Sequence, residues 1–299
     1  MKHILAVLNA GAGSLKGRDG DEIRSLIEKV LARSGARVSV RLASGADIVR
    51  EIKSAAESDC DTLVIGGGDG SVNCAASMLT GSPKTLGILP LGTMNLLARD
   101  LGMPIKLEDA LEALGHARPC EIDLARRNGE LFHTLSGLGF FSQMARAREE
   151  MRSLPGKLVQ VTAAVWRAFT RAEQFSVRLD IDGNKRDIET YALLVTVNRF
   201  SGDAWRRVSL DGGLLECHFA TDKETVGRFK AGADLLTGGW RQNPGIESFT
   251  ASRVRVERAR RRIWVATDGE LSREHMPLDY SILPKALRVL APEETKPRD

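Results

Sequence analysis

Gly66, Gly67, Gly68 and Gly70 place four glycines within five positions, directly after the apolar run Thr62-Leu63-Val64-Ile65. A short apolar run stopped by glycine reads as a buried strand. Residues 71–79 then read as a helix. Consecutive glycines let a backbone approach an anion with no Cβ in the way. The unpaired amides at a helix start would face that anion. Ser71 is placed to cap the helix. Asp69 inside such a loop would repel phosphate unless a cation or a donor intervenes, and a magnesium-bound nucleotide resolves that conflict. The plainer reading is a tight turn with Asp69 on the surface, and the density of glycine argues against it.

The loop sits in a regular rhythm. Residues 4–9 read as a strand ending in Gly11-Ala12-Gly13-Ser14. Ile23, Leu26, Ile27, Val30 and Leu31 give residues 21–34 a helical spacing, and Gly35 ends it. Strands at 37–42 and 86–89 and helices at 46–57, 95–101 and 107–114 follow the same reasoning. Repeated βα units imply a largely parallel sheet with helices on both faces. Ligands of such sheets bind at the carboxyl ends of the strands. Three loops fall there: after Asn9, after Ile65 and after Leu89. In the third, Gly92 permits a close turn, while the Thr93 hydroxyl and the Asn95 amide suit phosphate or ribose. No P-loop is present, and Gly66, Gly68 and Ser71 only approximate a dinucleotide fingerprint.

Beyond residues 124–129 the pattern changes. Short alternating strands are expected at 176–181, 191–197, 214–220, 253–256 and 262–266, with a hairpin turn at Asp182-Gly183-Asn184 and a helix at 157–169. This reads as an antiparallel β-sandwich. Residues 286–290 are strand-like and are expected to return to the first domain. The expected division is therefore 1–126 with 280–299, and 127–279.

Composition removes several classes. No run of about 18 apolar residues is present, so no spanning helix is expected. The apolar stretch at the start is too short for a signal peptide, and a cytoplasmic protein is expected. Cys60, Cys74, Cys120 and Cys217 form no C-x-x-C pair and read as reduced core thiols. A net charge of +4 gives no reason to expect nucleic acid. Arg253, Arg255, Arg258, Arg260, Arg261 and Arg262 crowd one segment. They fit either anionic lipid or phosphate, or a solvated strand face, since Val254 and Val256 alternate with them. Phe140, Phe141, Trp166 and Trp205 suit an acyl cleft or the core, and Arg206 and Arg207 suit a lipid headgroup.

Taken together, Gly67 to Asn73 as G-G-D-G-[ST]-x-N and Pro90 to Asn95 as P-x-G-T-x-N resemble the diacylglycerol kinase catalytic-domain family of lipid kinases, which includes sphingosine and ceramide kinases. Ile122-Asp123-Leu124, Asp211-Gly212-Gly213-Leu214 and Asp268-Gly269-Glu270 recur in the family order, so the resemblance covers nearly the whole chain. It implies an α/β domain that binds ATP, a β-sandwich behind it, and a lipid entering between them. By resemblance, the nucleotide contacts fall on Asn9, Gly11, Gly13, Gly67, Gly68, Asp69, Gly70, Ser71, Asn73 and Thr93. Glu270 takes the part of catalytic base, and Asp69 and Asp123 join a magnesium network. Two departures stand out. Leu96 occupies a place that is often acidic. Gly212 replaces the second aspartate of D-D-G-x-L, leaving Asp211 for a structural magnesium.

Phosphoryl transfer needs positioning and charge neutralisation more than covalent chemistry. A lipid hydroxyl is a poor nucleophile until a carboxylate takes its proton. The expected activity is an ATP- and magnesium-dependent lipid kinase working peripherally at a membrane, on diacylglycerol or a sphingoid or ceramide-type lipid. An NAD kinase-like enzyme and a non-catalytic nucleotide or lipid sensor are the alternatives, and a dehydrogenase is more distant. The sequence leaves oligomeric state open, a homodimer included.

Overall fold

The computed structural model describes residues 3–150, 167, 173–201, 207–220, 234, 241 and 243–292, without the side chains of 148 and 149. The expected helix at 157–169, Trp166, Trp205 and Arg206 lie outside the described residues, residue 167 apart. The chain divides into two compact units, Met1–Ile122 with Lys285–Asp299, and Asp123–Pro284.

The first unit runs β1 (His3–Asn9), α1 (Gly20–Leu31), β2 (Arg37–Ala43), α2 (Asp47–Glu57), β3 (Thr62–Gly67), α3 (Asp69–Leu79), β4 (Thr85–Pro90), α4 (Leu96–Asp100) and α5 (Leu107–Gly115). Gly35 sits at φ 75 behind the short 3-10 turn that extends α1, which suits a residue without a Cβ. The sheet order is β2-β1-β3-β4, all parallel. Every residue of β3 and β4 is buried, which explains their unbroken apolar character. Helix α1 packs with α5 and α2 with α3. The chain leaves β1 for β2 on one side and returns to β3 on the other, so the order switches at the β1/β3 carboxyl ends. Such a switch opens a crevice above the sheet.

Strand β5 (Arg118–Arg127) carries the chain into the second unit. There follow β6 (Glu130–Phe132), β7 (Leu135–Gly139), α6 (Phe140–Glu150), β8 (Phe175–Ile181), β9 (Asn184–Thr190), β10 (Ala192–Val197), β11 (Leu215–Ala220), β12 (Ile246–Ala251), β13 (Arg253–Glu257), β14 (Arg262–Thr267), β15 (Glu270–His275) and β16 (Leu278–Ala291). One antiparallel sheet has the order β12-β11-β10-β7-β14-β15. Strands β9, β8, β13 and the first half of β16 pair in the other. A shared core of Leu138, Leu193, Val195, Cys217 and Val265 from the first sheet and Val177, Leu179, Val254 and Val256 from the second makes this a sandwich. The valines of β13 are buried and its arginines exposed, so the solvated-face reading holds for Arg253 and Arg255. Each buried valine contributes about 1.5–3 kcal/mol. The end of β16 pairs parallel to β4 at Arg288 and Val289, the return that the sequence suggested.

Candidate functional site: a glycine-lined ring and a carboxylate hairpin

The carboxyl ends of β1, β3 and β4 bring three loops into contact. A Cβ on Gly67 would lie 3.8 Å from Asn9 Cβ and 2.8 Å from the Ser71 side chain. A Cβ on Gly92 would stand 2.4 Å from Gly68 Cα, closer than any real side chain comes. Glycine is thus required where the second and third loops cross. Ser14 Oγ donates to Leu91 O at 2.9 Å, joining the first loop to the third. The ring gathers Asn9, Gly67, Gly68 and Ser71, and the half-buried Asn73 follows on α3. Gly11, Gly13, Gly70 and Thr93 are exposed. Asn9 Oδ1 accepts from Gly11 N at 3.0 Å, which shapes the first loop.

Three expectations need correction here. Helix α3 starts at Asp69 with Gly68 as its N-cap and no side-chain cap, so Ser71 is already inside the first turn and caps nothing. Asn95 is not available to a ligand. It is buried, with Oδ1 accepting from Gly92 N at 2.9 Å and Nδ2 donating to Gly92 O at 2.9 Å. Its side chain builds the third loop. Asp69 also finds its donors within the protein: Oδ2 accepts from Asn95 N at 2.9 Å and Oδ1 from Leu96 N at 2.6 Å. Its carboxylate therefore sits at the start of α4, where negative charge is favoured. The leading amides of α3, at Asp69 and Gly70, have no intrahelical acceptor and remain as donors for an anion.

In the second unit, β14 and β15 form a two-residue hairpin with Asp268 (φ 48) and Gly269 (φ 87) at its tip. Both positions are left-handed, as a type I′ turn demands. The Asp268 carboxylate is buried and accepts from three successive amides: His133 at 2.8 Å, Thr134 at 3.0 Å and Leu135 at 3.0 Å. Asp268 N donates to Leu135 O at 2.9 Å, so the tip is fastened to the start of β7 in both senses. The stem is held by Arg127, which is buried and donates to Thr267 Oγ1, Glu130 at 2.9 Å and Glu274 at 2.8 Å. Glu270, paired across the ladder with Thr267, is exposed, and its carboxylate meets no partner among the described residues. Of the two acids in D-G-E, one is consumed by the fold and the other is free to react.

Asp123 is fully buried and accepts from Asn198 Nδ2 at 3.0 Å and Gly213 N at 2.6 Å. Its carboxylate organises the 211–213 loop. Asp211 is exposed and bonded to Ser209 Oγ. A Cβ on Gly212 would lie 3.0 Å from Asn198 Oδ1. No cluster of three metal-binding side chains exists among the described residues, so the residues around Asp211 do not fit a structural magnesium cage. For a nucleotide-borne ion the test differs. Magnesium usually keeps several waters and takes only one or two carboxylates plus phosphates, and Asp69, the acidic side chain within the ring, suits that. Sequence reasoning missed Arg127, His133 and Asn198, whose roles depend on partners distant in the chain. Phe140 and Phe141, the first residues of α6, are buried and cluster with Tyr191 and Leu194, which settles them as core. All four cysteines are free thiols; burial pushes the Cys217 thiol far up.

Comparison with known proteins accords with this geometry. The model of the diacylglycerol kinase catalytic domain matches residues 3–126, and that of the YegS C-terminal NAD kinase beta sandwich-like domain matches residues 136–291. A Pseudomonas aeruginosa protein named "Probable lipid kinase YegS-like" is 31% identical over 290 residues, covering 93% of this chain and 92% of that one. An uncharacterized Synechocystis protein is 26% identical over 262 residues, but this match spans only 60% of that protein's length. A crystal structure described as a diacylglycerol kinase from Bacillus anthracis superposes with a TM-score of 0.74, at 19% identity and with 99% of this chain and 98% of that one covered. At that identity it speaks for the fold alone. The chain belongs to the diacylglycerol kinase catalytic-domain family of lipid kinases, in the form that carries the YegS-type C-terminal domain.

Proposed function

We propose that this protein transfers the γ-phosphoryl group of ATP to a hydroxyl of a membrane lipid. The observation that carries the reading is the ring of loops at the β1, β3 and β4 carboxyl ends, where the leading amides of α3 remain as donors and Thr93 is exposed on the adjoining third loop. Asn9, Gly11 and Gly13 form its near wall, and Gly67 to Asn73 its floor. The lipid oxygen forms a bond to γ-phosphorus as the β,γ-bridging P–O bond breaks. ADP leaves, and the hydroxyl proton passes to the Glu270 carboxylate. Magnesium arriving with ATP supplies charge neutralisation when bound, and Asp69 is the residue of the ring that would hold it. Asp268 and Arg127 keep the Glu270 hairpin in place. Asp123 shapes the 211–213 loop rather than sharing in the metal.

Diacylglycerol is the acceptor we favour, with sphingoid bases and ceramide as the other candidates, and we place the enzyme on the inner side of the cell. Among the described residues no helix is long and apolar enough to cross a membrane, which fits peripheral access to lipid. The test is incubation with labelled ATP, magnesium and separate preparations of diacylglycerol, sphingosine, ceramide and NAD. Label in a lipid is expected. Label in NAD alone, or nucleotide binding with no acceptor labelled, would overturn the reading.

A further inference from the structure

The arginine run at 253–262 divides when placed on the fold. Arg255 on β13 is neutralised, with Glu257 at 2.9 Å and Asp279 at 2.9 Å. Arg258 stacks over Phe175 at 4.6 Å. The remaining arginines behave differently. Arg262 shares one face of β14 with Trp264, and their cross-strand partners are His275 and Arg273. Arg262 Nε and His275 Nε2 are 3.0 Å apart. The guanidinium of Arg146, on α6, lies 6.0 Å from the centre of the Trp264 ring. Arg260 and Arg261 are exposed in the bend before β14.

Trp264 is 39% exposed, one of few large apolar side chains so placed among the described residues. Among the described residues the positive charge around it is poorly balanced. Glu150 lies 3.4 Å from Arg146. Glu274 belongs to the opposite face, where it pairs with Arg127. Arg260, Arg261 and Arg273 meet no carboxylate among the described residues. Tryptophan ringed by arginine is the composition that settles at a lipid headgroup boundary: the indole partitions into the interface and the guanidinium groups meet phosphate.

We propose that this β14–β15 face is the surface by which the protein docks onto an anionic bilayer. The inference rests on the lipid-kinase reading, because an acceptor dissolved in a bilayer obliges the enzyme to dwell there. Charge complementarity selects the occupant, and the exposed indole favours a lipid surface over an acidic protein. Each arginine near an anionic membrane raises partition about fivefold, and salt weakens the effect.

The experiment is flotation of the intact protein, without ATP, on vesicles of phosphatidylcholine with or without phosphatidylglycerol. Binding is expected only with phosphatidylglycerol, and it should fall as salt rises. The double variant R262Q/R273Q should lose roughly 25-fold in partition, and W264A severalfold. R255Q, on the neutralised strand, should lose less than about twofold. Equal binding to neutral vesicles, wild-type flotation by R262Q/R273Q, or an equal loss in R255Q would overturn the proposal. If W264A does not fold, W264F replaces it, and quenching by lipids brominated in their chains should drop relative to wild type. Unchanged quenching would count against the surface. The two readings fail separately. Wild-type protein that phosphorylates a monomeric short-chain lipid yet floats with no vesicle loses the docking surface alone. Protein that floats as expected yet labels no lipid loses the kinase reading alone.

Discussion

Asp69 and Asp268 belong to the two most conspicuous motifs of the chain, and both spend their carboxylates on backbone amides. Asp69 takes two, from Asn95 and Leu96, and stays half-buried at the lip of the glycine ring. Asp268 takes three, from His133, Thr134 and Leu135, and is buried. The first lies where a ligand can still reach its remaining lone pairs; the second does not. A motif aspartate can therefore be architecture, chemistry, or some of each, and burial together with donor count decides which. By the same measure Glu270, exposed and unengaged, is the group of its motif left for chemistry.

The comparison can be broken most severely at Glu270. Glu270→Gln should lower kcat by about 10²–10⁴-fold, the usual worth of a general base, with ATP affinity little changed. Steady-state kinetics and a nucleotide-binding titration check this, and near-normal turnover would remove Glu270 from its role. Asp268→Asn should act next, through stability. It replaces an acceptor of three amides with a group that presents its own N–H₂ to them, at a cost of about 2–4 kcal/mol, read by denaturant unfolding. A loss below about 1 kcal/mol would mean the three contacts are not what holds the tip. Asp69→Asn should cost less, about 1 kcal/mol after allowing for its exposure, while weakening ATP binding in magnesium more than in its absence. An equal effect with and without the metal would assign Asp69 to architecture alone.

A further expected effect appears only at high pH. Tyr280 hydrogen-bonds Ser136, which in turn meets Thr267 of the Glu270 hairpin. Burial pushes the Tyr280 hydroxyl up to about 12, outweighing the Ser136 hydrogen bond. Its folded-state value is raised above the ordinary 10.0. The stabilisation is therefore fully present below pH 10 and is lost as pH rises towards about 12. Wild type should lose up to about 2–3 kcal/mol more than Tyr280→Phe across that interval. Identical pH dependence of the two in denaturant titrations would contradict the buried-hydroxyl account.

The parallel sheet was legible because its signals are local, apolar runs stopped by glycine at Gly66 and a helical spacing closed by Gly35, and so was the antiparallel β8–β9 hairpin, whose turn at Asp182-Gly183 has φ values of 47 and 91. The ring was legible for the same reason, since each loop announces itself. Other features were misread although a signal existed. The change of pattern at residues 124–129 lies close to the division of the units after Ile122, but it hides a hairpin: Asn128 (φ 50) and Gly129 (φ 90) turn the strand Arg118–Arg127 back onto Glu130–Phe132. Asn-Gly between apolar flanks is a strong hairpin signal. Ser71 looked like a cap because serine often caps, but the helix already starts at Asp69, with the extended Gly68 as its N-cap. The rest could not be read at all. Asp123 meets Asn198 across 75 positions and Arg127 meets Glu274 across 147, and no local pattern encodes such pairings.

The account turns on whether backbone amides of the glycine ring hold the triphosphate. A crystal structure with a non-hydrolysable ATP analogue and magnesium tests this directly. The account predicts phosphate oxygens within hydrogen-bonding distance of the Gly68 to Gly70 amides and the Thr93 hydroxyl. A nucleotide bound elsewhere, with those amides facing only solvent, would contradict it.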